Sequence, residues 1–191
     1  MKKSLILSYL LLLSVCLSGW TSAKSEATDS KTIYLIRHAE KSNDDRRDPN
    51  LSSQGLLRAG KLARFFAGKQ LSAIYSSNYK RTLQTAKPAA DTVGVGVQLY
   101  NPSKLAQFAE TLKRTPGNLL VVGHSNTTPE LARLIGFGDG VFKHGGVRKG
   151  RGEDWREIDE ADFSRIYQIQ FNGEQIDSRL LSSDALESEA N

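Results

Sequence analysis

Two apolar runs in this chain each end in a histidine at the point where a β-strand should stop. The first run is Ile33–Glu40 (IYLIRHAE) and the second is Leu119–Ser125 (LLVVGHS). The chain has three histidines, and His38 and His124 both occupy this position. In an open parallel sheet, residues just past the carboxyl ends of the strands line one crevice in which ligands bind. We therefore expect both imidazoles to face one site, and Arg37 before the first histidine indicates an anionic ligand.

The first 23 residues have the three parts of a secretory signal peptide. Two lysines form the positive region, an apolar stretch follows to Leu17, and small residues precede a cleavage site after Ala23. The sequence therefore predicts a periplasmic or secreted protein with no stable membrane insertion after cleavage, since the apolar stretch is short for a membrane span. Two alternatives stay open: a retained anchor, and a lipoprotein attached through Cys16, although Val15 is larger than the residue usual before a lipidated cysteine.

Cleavage after Ala23 would remove the single cysteine and two of the lysines. The formal charge would fall from +5 to about +3, which is far from the strongly basic surface of a nucleic-acid-binding domain. Without a cysteine, the mature chain has no disulfide, no thiolate nucleophile and no cysteine metal cluster. The roughly 168 remaining residues suit one domain with a single core.

Short apolar strands alternate with amphipathic helices along the chain, a pattern typical of an α/β fold. The predicted strands are Thr32–Ile36, Leu71–Ser76, Val93–Leu99 and Asn118–Val122, and a closing hairpin of Ile166–Phe171 and Glu174–Leu180 turns at Asn172-Gly173. We expect a three-layer α/β/α sandwich around a mostly parallel sheet, with a C-terminal β-hairpin. The predicted organisation is a signal peptide at 1–23, a linker at 24–31, one domain at 32–181 and an acidic tail at 182–191.

Polar residues and prolines mark where the helices should begin and end. The predicted starts are Ser52 or Ser53, Asn78, Ser103, and Thr128 followed by Pro129 at the first helical position. The first helix should bury a face at helical spacing: Leu56, Ala59, Leu62, Ala63 and Phe66. Pro88 is expected to kink or end the second helix, and Gly136 suits the end of the fourth.

The residues around the two histidines suit phosphoryl transfer. A neutral imidazole can attack phosphorus and carry the phosphoryl group covalently, and nearby guanidinium charges would keep His38 neutral. Arg37 and Arg81 can bind phosphate oxygens and neutralise transition-state charge, and Arg81 is predicted in the first turn of a helix, where backbone N–H groups favour anions. His124 supplies a further donor. No metal is needed, and two histidines without paired carboxylates form a poor metal site.

At these residues the sequence resembles the histidine phosphatase superfamily, in its phosphoglycerate-mutase-like branch 1. Arg37-His38-Ala39-Glu40 is similar to the family's Arg-His-Gly motif, with alanine in place of the usual glycine. Leu51–Gly55 (LSSQG) resembles its L-T-x-x-G segment, and Tyr75–Ala86 (YSSNYKRTLQTA) resembles its S-x-x-x-R-x-x-Q-T-A segment. Gly123-His124-Ser125 is similar to the second histidine motif. The four blocks occur in family order between residue 32 and about residue 136.

The resemblance implies a phosphomonoester hydrolase that acts through a phosphohistidine on His38, without a metal or cofactor, and the signal peptide implies that it is exported. It also implies that Arg37, Arg81, His124 and Ser125 bind the phosphate. The expected partner is a phosphorylated small molecule or a surface phosphate group. Two rivals stay open: a phosphate-binding module whose catalysis has lapsed, and a phosphomutase, which would need a sugar-phosphate pool that an exported protein lacks.

The proton donor for the leaving group is not assigned by the motifs. The family often carries an acid after the third strand or directly after the second histidine. Here Ser125 stands in the second place, and residues 100–103 (YNPS) contain no carboxylate. Glu40, close to His38 in sequence, and Glu130, in the first turn of the helix after His124, are the two candidates.

A glycine-rich, cationic loop is predicted at residues 138–154. The simpler interpretation is a solvated surface, and the alternative is a lid over an acidic substrate. His144 has no motif around it and is predicted to be a loop residue.

Overall fold

The computed structural model describes residues 30–137, 141–144 and 158–185. The predicted signal peptide with its cleavage site, the linker up to residue 29, most of the predicted loop at 138–154, and the end of the acidic tail lie outside the described residues.

Seven strands and four helices alternate through the described parts of the chain. The strands are β1 (Ser30–Arg37), β2 (Leu71–Ser76), β3 (Val97–Leu99), β4 (Asn118–Gly123), β5 (Val141–His144), β6 (Arg165–Asn172) and β7 (Gln175–Ser182). The helices are α1 (Ser53–Ala67), α2 (Lys80–Val93), α3 (Leu105–Arg114) and α4 (Thr127–Ile135). None of these helices is long and apolar enough to cross a membrane.

The strands form one sheet in the order β3-β2-β4-β1-β6-β7-β5. Strands β3, β2, β4 and β1 run parallel to one another. Strand β6 is antiparallel to both β1 and β7, and β5 pairs parallel to β7. The expected mostly parallel sheet with a C-terminal hairpin is therefore confirmed, and the hairpin turns at Gly173, whose φ of 63° suits glycine.

Two hydrophobic cores lie on opposite faces of the sheet, because successive residues of a strand point to opposite sides. Ile33 and Leu35 of β1 pack in the core that α3 and α4 cover. Tyr34 and Ile36 pack in the core that α1 and α2 cover. The three-layer α/β/α arrangement is thus confirmed, with helices on both faces of strands that are apolar on both sides.

Helix α1 begins as predicted, because the side chain of Ser52 accepts a hydrogen bond from the N–H of Gly55 at 3.1 Å. The prediction that Leu56 is part of its buried face is wrong, because Leu56 is 56 % exposed. Gly55 takes the buried place instead. A Cβ at Gly55 would overlap the carbonyl oxygen of Glu40, so glycine lets the helix lie directly against the chain that follows His38.

Three other helix starts differ from the prediction. Tyr79 rather than Asn78 precedes α2, Lys104 rather than Ser103 precedes α3, and neither residue makes a side-chain cap bond. Pro129 is the third residue of α4, since the helix already begins at Thr127. Pro88 lies inside α2 without ending it.

Two predicted strand and loop boundaries are also corrected. The strand expected from Val93 begins only at Val97, because α2 runs on to Val93 and ends in the left-handed Gly94. His144, predicted as a loop residue, is the last residue of β5.

The expected linker ends earlier than predicted, since β1 begins at Ser30. Buried Lys31 donates hydrogen bonds to carbonyl oxygens at the end of α3, including that of Lys113 at 2.8 Å. A cation at that end is favourable, because the last carbonyls of a helix carry partial negative charge. Lys31 therefore connects β1 to the end of α3.

Candidate active site

The register of the parallel strands brings the two histidine motifs together. Arg37, the last residue of β1, pairs with Gly123, the last residue of β4. The N–H of His38 donates to the carbonyl of Gly123 at 2.9 Å, which extends this pairing by one residue. The chain therefore turns into both motifs at the same edge of the sheet, and the rings of His38 and His124 lie 5.5 Å apart.

His38 is held in one orientation by the backbone. Its Nδ1 lies 2.8 Å from the carbonyl oxygen of Ala39, and only 5 % of the residue is exposed. A carbonyl oxygen can only accept, so in the neutral ring Nδ1 carries the proton and Nε2 carries the lone pair. Burial lowers the pKa of His38 to about 3, and the charges of Arg37 and Arg81 act in the same direction. The imidazole is therefore neutral near pH 7, with Nε2 available as a nucleophile.

Arg37 is fixed by the segment before β6. Its Nη1 donates to the carbonyl oxygens of Asp159 and Glu160 at 2.9 Å and of Asp162 at 3.1 Å. Its guanidinium carbon lies 4.2 Å from the centre of the Phe163 ring. Its Nε is buried and has no hydrogen-bond partner among the described residues. Arg37 thus keeps one donor that the described part of the protein does not use.

Arg81 lies in the first turn of α2, as predicted. One of its Nη atoms lies 3.3 Å from Nδ1 of His124, and the other lies 3.8 Å from the carboxylate of Asp48. Its guanidinium carbon lies 4.5 Å from the centre of the Tyr79 ring. Asp48 also accepts a hydrogen bond from the N–H of Lys80 at 2.8 Å, so this carboxylate holds the beginning of α2.

His124 is held mainly by side chains. Its Nε2 lies 2.9 Å from Oγ of Ser77, and its Nδ1 faces Arg81. Burial and the charges of Arg81 and Arg37 lower the pKa of His124 to about 4. The backbone N–H of His124 donates to the hydroxyl of Thr127 at 3.0 Å. A Cβ at the preceding Gly123 would come within 3.0 Å of three side-chain oxygens, so glycine is what fits there.

The structure places the remaining predicted site residues differently. Ser125 is half-buried directly after His124, and none of the hydrogen bonds that hold His124 involves it. Glu40 is bound by the guanidinium of Arg58, with three contacts of 2.8–3.0 Å. Glu130 forms a surface ion pair with Arg133 at 2.8 Å. Both carboxylates predicted as proton donors thus have cationic partners outside the histidine pair.

The third motif supports the first and the second through two side chains of α2. Oγ1 of Thr85 accepts from the N–H of Ala39 at 3.0 Å, next to the nucleophile. Oε1 of Gln84 accepts from the N–H of Leu51 at 2.7 Å, and its amide donates to Asn50. These contacts explain physically why a glutamine and a threonine follow Arg81 at this spacing.

Several residues of the site were missed by the sequence reasoning. Ser77, Asp48, Tyr79 and Phe163 all lie against a histidine or an arginine of the site. A signal existed for Ser77, because it stands where the third motif begins with serine, four residues before Arg81. Phe163 is brought in by the C-terminal hairpin and has no motif around it.

Comparison with known proteins finds a family that this arrangement resembles. Residues 33–102 match the profile of the histidine phosphatase superfamily (branch 1). The matched stretch contains the first three motif blocks, and the fold brings the fourth, around His124, to the same edge of the sheet.

Proteins that this chain is similar to carry phosphatase names. A candidate phosphoserine phosphatase 2 of Hydrogenobacter thermophilus is 36 % identical over 86 residues, a stretch that covers 42 % of each chain. The match thus spans about two fifths of that relative's length. Among solved structures, a mycobacterial glucosyl-3-phosphoglycerate phosphatase in complex with inorganic phosphate has a TM-score of 0.54 at 17 % identity, over 78 % of this chain and 94 % of its own.

A second structural relative is a candidate alpha-ribazole-5'-P phosphatase of Escherichia coli. It has a TM-score of 0.57 at 15 % identity, over 80 % of this chain and 96 % of its own. At these identities the two structures are evidence for the shared fold.

Proposed function

We propose that this protein is a histidine phosphatase that hydrolyses phosphate monoesters through a phosphohistidine on His38, without a metal. The observation that carries the proposal is the Nδ1 contact of His38 with the Ala39 carbonyl, which leaves the Nε2 lone pair free on a buried, neutral ring. An imidazole in that state is a competent nucleophile toward phosphorus.

The first step forms the N–P bond. Nε2 of His38 attacks the phosphorus, the bond to the ester oxygen breaks, and the alcohol leaves with a proton. Arg81 and Arg37 neutralise the phosphoryl oxygens as negative charge spreads over them. The buried Nε of Arg37 supports this role: an unpaired buried donor costs about 1–3 kcal/mol, and a phosphate oxygen would supply the missing acceptor.

The second step returns the enzyme to its starting state. A water oxygen attacks the phosphorus and gives a proton to the carboxylate that protonated the alcohol, the N–P bond breaks, and inorganic phosphate leaves with the His38 lone pair restored. The two guanidinium charges do in both steps what a divalent metal does elsewhere, and they disfavour a cation between them. The substrate class we infer is a phosphorylated small molecule or a surface phosphate group.

The leaving oxygen needs a proton, and we infer that Asp48 supplies it. Its carboxylate lies 3.8 Å from Arg81, which is itself in contact with His124. Glu40 and Glu130 are instead bound by Arg58 and Arg133, which lie outside the histidine pair. The side chain of Asp48 is 35 % exposed, so water can return the proton after each turnover.

The decisive experiment measures turnover of p-nitrophenyl phosphate by purified protein in the presence of EDTA, followed by acid-free trapping of the phosphoenzyme. We expect steady hydrolysis and a phosphoryl group on the peptide that contains His38. Tight phosphate binding with no turnover of any monoester would favour the lapsed binding module. Transfer of the phosphoryl group to an added sugar phosphate, rather than to water, would favour the mutase.

We also propose that the protein is exported, on the strength of the charged, apolar and small-residue regions of residues 1–23. N-terminal sequencing of protein recovered from the periplasm should begin at Lys24. A lipid-modified start at Cys16 would indicate a lipoprotein, and an intact Met1 would contradict cleavage.

A further inference from the structure

Two hydroxyl side chains are completely buried where β2 passes into α2. Ser77 and Thr82 are both 0 % exposed. Oγ of Ser77 lies 2.9 Å from Nε2 of His124 and 3.1 Å from Oγ1 of Thr82. These contacts form a short chain of hydrogen bonds that ends on the second histidine, and neither Ser77 nor Thr82 was predicted to bind the phosphate.

The far end of this chain sets its direction. Oγ1 of Thr82 lies 2.8 Å from the carbonyl oxygen of Ser77 and 2.9 Å from that of Tyr79. Carbonyl oxygens only accept, so the single hydroxyl proton of Thr82 is donated to one of them. Thr82 can then only accept from Ser77, and Ser77, having given its proton to Thr82, can only accept from His124. The chain therefore requires a proton on Nε2 of His124.

The other side of the ring leads independently to the same protonation state. Nδ1 of His124 faces Nη2 of Arg81 at 3.3 Å. A guanidinium group has only donors, so Nδ1 must carry a lone pair. A neutral imidazole has one N–H, which is then on Nε2. Two separate contacts, one on each ring nitrogen, thus select one tautomer.

We propose that Ser77, itself oriented by Thr82, is a positioning residue that fixes His124 as the Nε2–H tautomer with its Nδ1 lone pair toward Arg81. The two histidines of the site then have opposite tautomers, since His38 carries its proton on Nδ1. The catalytic consequence rests on the proposed phosphatase function, whereas the tautomer itself does not.

Loss of the Ser77 hydroxyl should release the ring. In Ser77→Ala the Nε2–H of His124 loses its acceptor, so only the Arg81 contact still favours that tautomer and the Nδ1–H form, whose donor faces the donors of Arg81, becomes populated. Arg81 would then be displaced from the place where it meets the phosphate. We expect kcat/KM to fall about ten-fold, mostly in kcat, with a smaller rise in KM.

The test reads the tautomer directly, by nitrogen-15 correlation spectra of histidine-labelled protein, with His124 assigned through His124→Gln. The wild type should show a protonated Nε2 and an unprotonated Nδ1 for His124, and Ser77→Ala should show a mixture of the two tautomers. Thr82→Val, which removes the second hydroxyl at similar volume, should weaken the preference, and Thr82→Ser should restore it. The matched control is Ser178→Ala: Ser178 is equally buried, but it lies in β7 and takes no part in this chain of hydrogen bonds.

The outcomes separate this inference from the proposed function. An Nδ1–H signal for His124 in the wild type, or an unchanged tautomer in Ser77→Ala, would overturn the inference. A changed tautomer with unchanged kcat/KM, or an equal loss of activity in Ser178→Ala, would overturn the positioning role. If the tautomer changes as expected and the wild type hydrolyses no monoester, only the proposed function fails. Should Ser77→Ala not fold, the Thr82→Val and Thr82→Ser pair decides by the same spectra.

Discussion

The two sides of the site are held in place by different kinds of groups, backbone carbonyls on one side and side chains on the other. On the nucleophile side, Arg37 and His38 are held by backbone carbonyls: three for the guanidinium and that of Ala39 for the imidazole. On the second-histidine side, Arg81 and His124 are held by each other and by the side chain of Ser77. The same chemistry, one arginine and one histidine, is thus positioned once by the path of the chain and once by side-chain hydroxyls.

This difference has a physical consequence. Backbone carbonyls cannot be removed by substitution, so the geometry of the nucleophile side persists as long as the sheet and the segment before β6 are folded. The second-histidine side depends on individual hydroxyl groups, and single substitutions can alter it without unfolding the protein. We therefore expect all-or-none effects on the first side and graded effects on the second.

The largest expected effect is at His38. His38→Ala should abolish turnover, because no other group on the nucleophile side can take the phosphoryl group. Steady-state assays together with phosphoenzyme trapping measure this directly. A substantial residual rate, or a trapped phosphoryl group on His124, would show that the second-histidine side can also accept the phosphoryl group.

The next effect concerns the proton for the leaving oxygen. Asp48→Asn keeps the acceptor for the N–H of Lys80 but cannot give a proton, so hydrolysis of alkyl phosphates should fall about a hundred-fold. Hydrolysis of p-nitrophenyl phosphate should change little, because that leaving group departs without a proton. The ratio of the two rates is the measurement.

The carboxylates first suggested by the sequence serve as controls for Asp48. Glu40→Gln should lower both rates equally, since it weakens the contact with Arg58. Glu130→Gln should leave both rates unchanged, because Glu130 forms only a surface ion pair with Arg133. A selective loss on alkyl phosphates in either variant, with none in Asp48→Asn, would move the acid to that residue.

A third effect tests the arginine of the second-histidine side. Arg81→Ala should raise KM and lower kcat, because the guanidinium binds both the ground state and the transition state. A charge-assisted hydrogen bond contributes about 1.5–3 kcal/mol, or roughly ten- to a hundred-fold in kcat/KM. The exposed Arg133, paired with Glu130, offers a matched control, since Arg133→Ala also removes one cation but far from the histidines. Equal losses in the two variants would reduce the role of Arg81 to net charge.

The same contrast explains what the sequence could predict. Strand periodicity and the position of His38 and His124 predicted the sheet edge at which they meet, because strand ends are encoded locally. Leu56 was predicted to be buried, and it is not, since the close approach of Gly55 to the Glu40 carbonyl decides which face of α1 turns inward. That approach joins two parts of the chain and leaves no periodic trace.

The partners of each charged group were equally hidden from sequence reasoning. Glu40 is near His38 in sequence, yet Arg58 binds it, because α1 lies across the residues that follow the first motif. Phe163 reaches the site because β6, which follows it, pairs with β1, a strand that lies far from it in the sequence. Contacts of this kind depend on tertiary packing, and a local pattern does not predict them.

The smallest expected effect lies in stability rather than turnover. The folded protein lowers the pKa of His38 to about 3 and that of His124 to about 4, mainly by burial, from an ordinary value of 6.5. Between pH 6.5 and pH 4 the unfolded chain therefore binds more protons than the folded one, so the free energy of unfolding falls as the pH falls. Each histidine adds at most about 1.4 kcal/mol per pH unit to this slope. The stability that its neutral form contributes is fully present above pH 6.5 and is lost as the pH falls toward the folded pKa.

Urea unfolding at pH 7.5, 6 and 5 measures this slope. The double variant His38→Gln, His124→Gln should flatten it, and each single variant should remove part of it. The share of each histidine also bears on the two sides of the site. Because His38 is the more deeply buried ring and has the lower pKa, its variant should keep flattening the curve at more acid pH than the His124 variant does. An unchanged slope in both single variants would mean that the imidazoles take up protons in the folded state near pH 6.5, and the neutral nucleophile that the mechanism needs would then exist only above that pH.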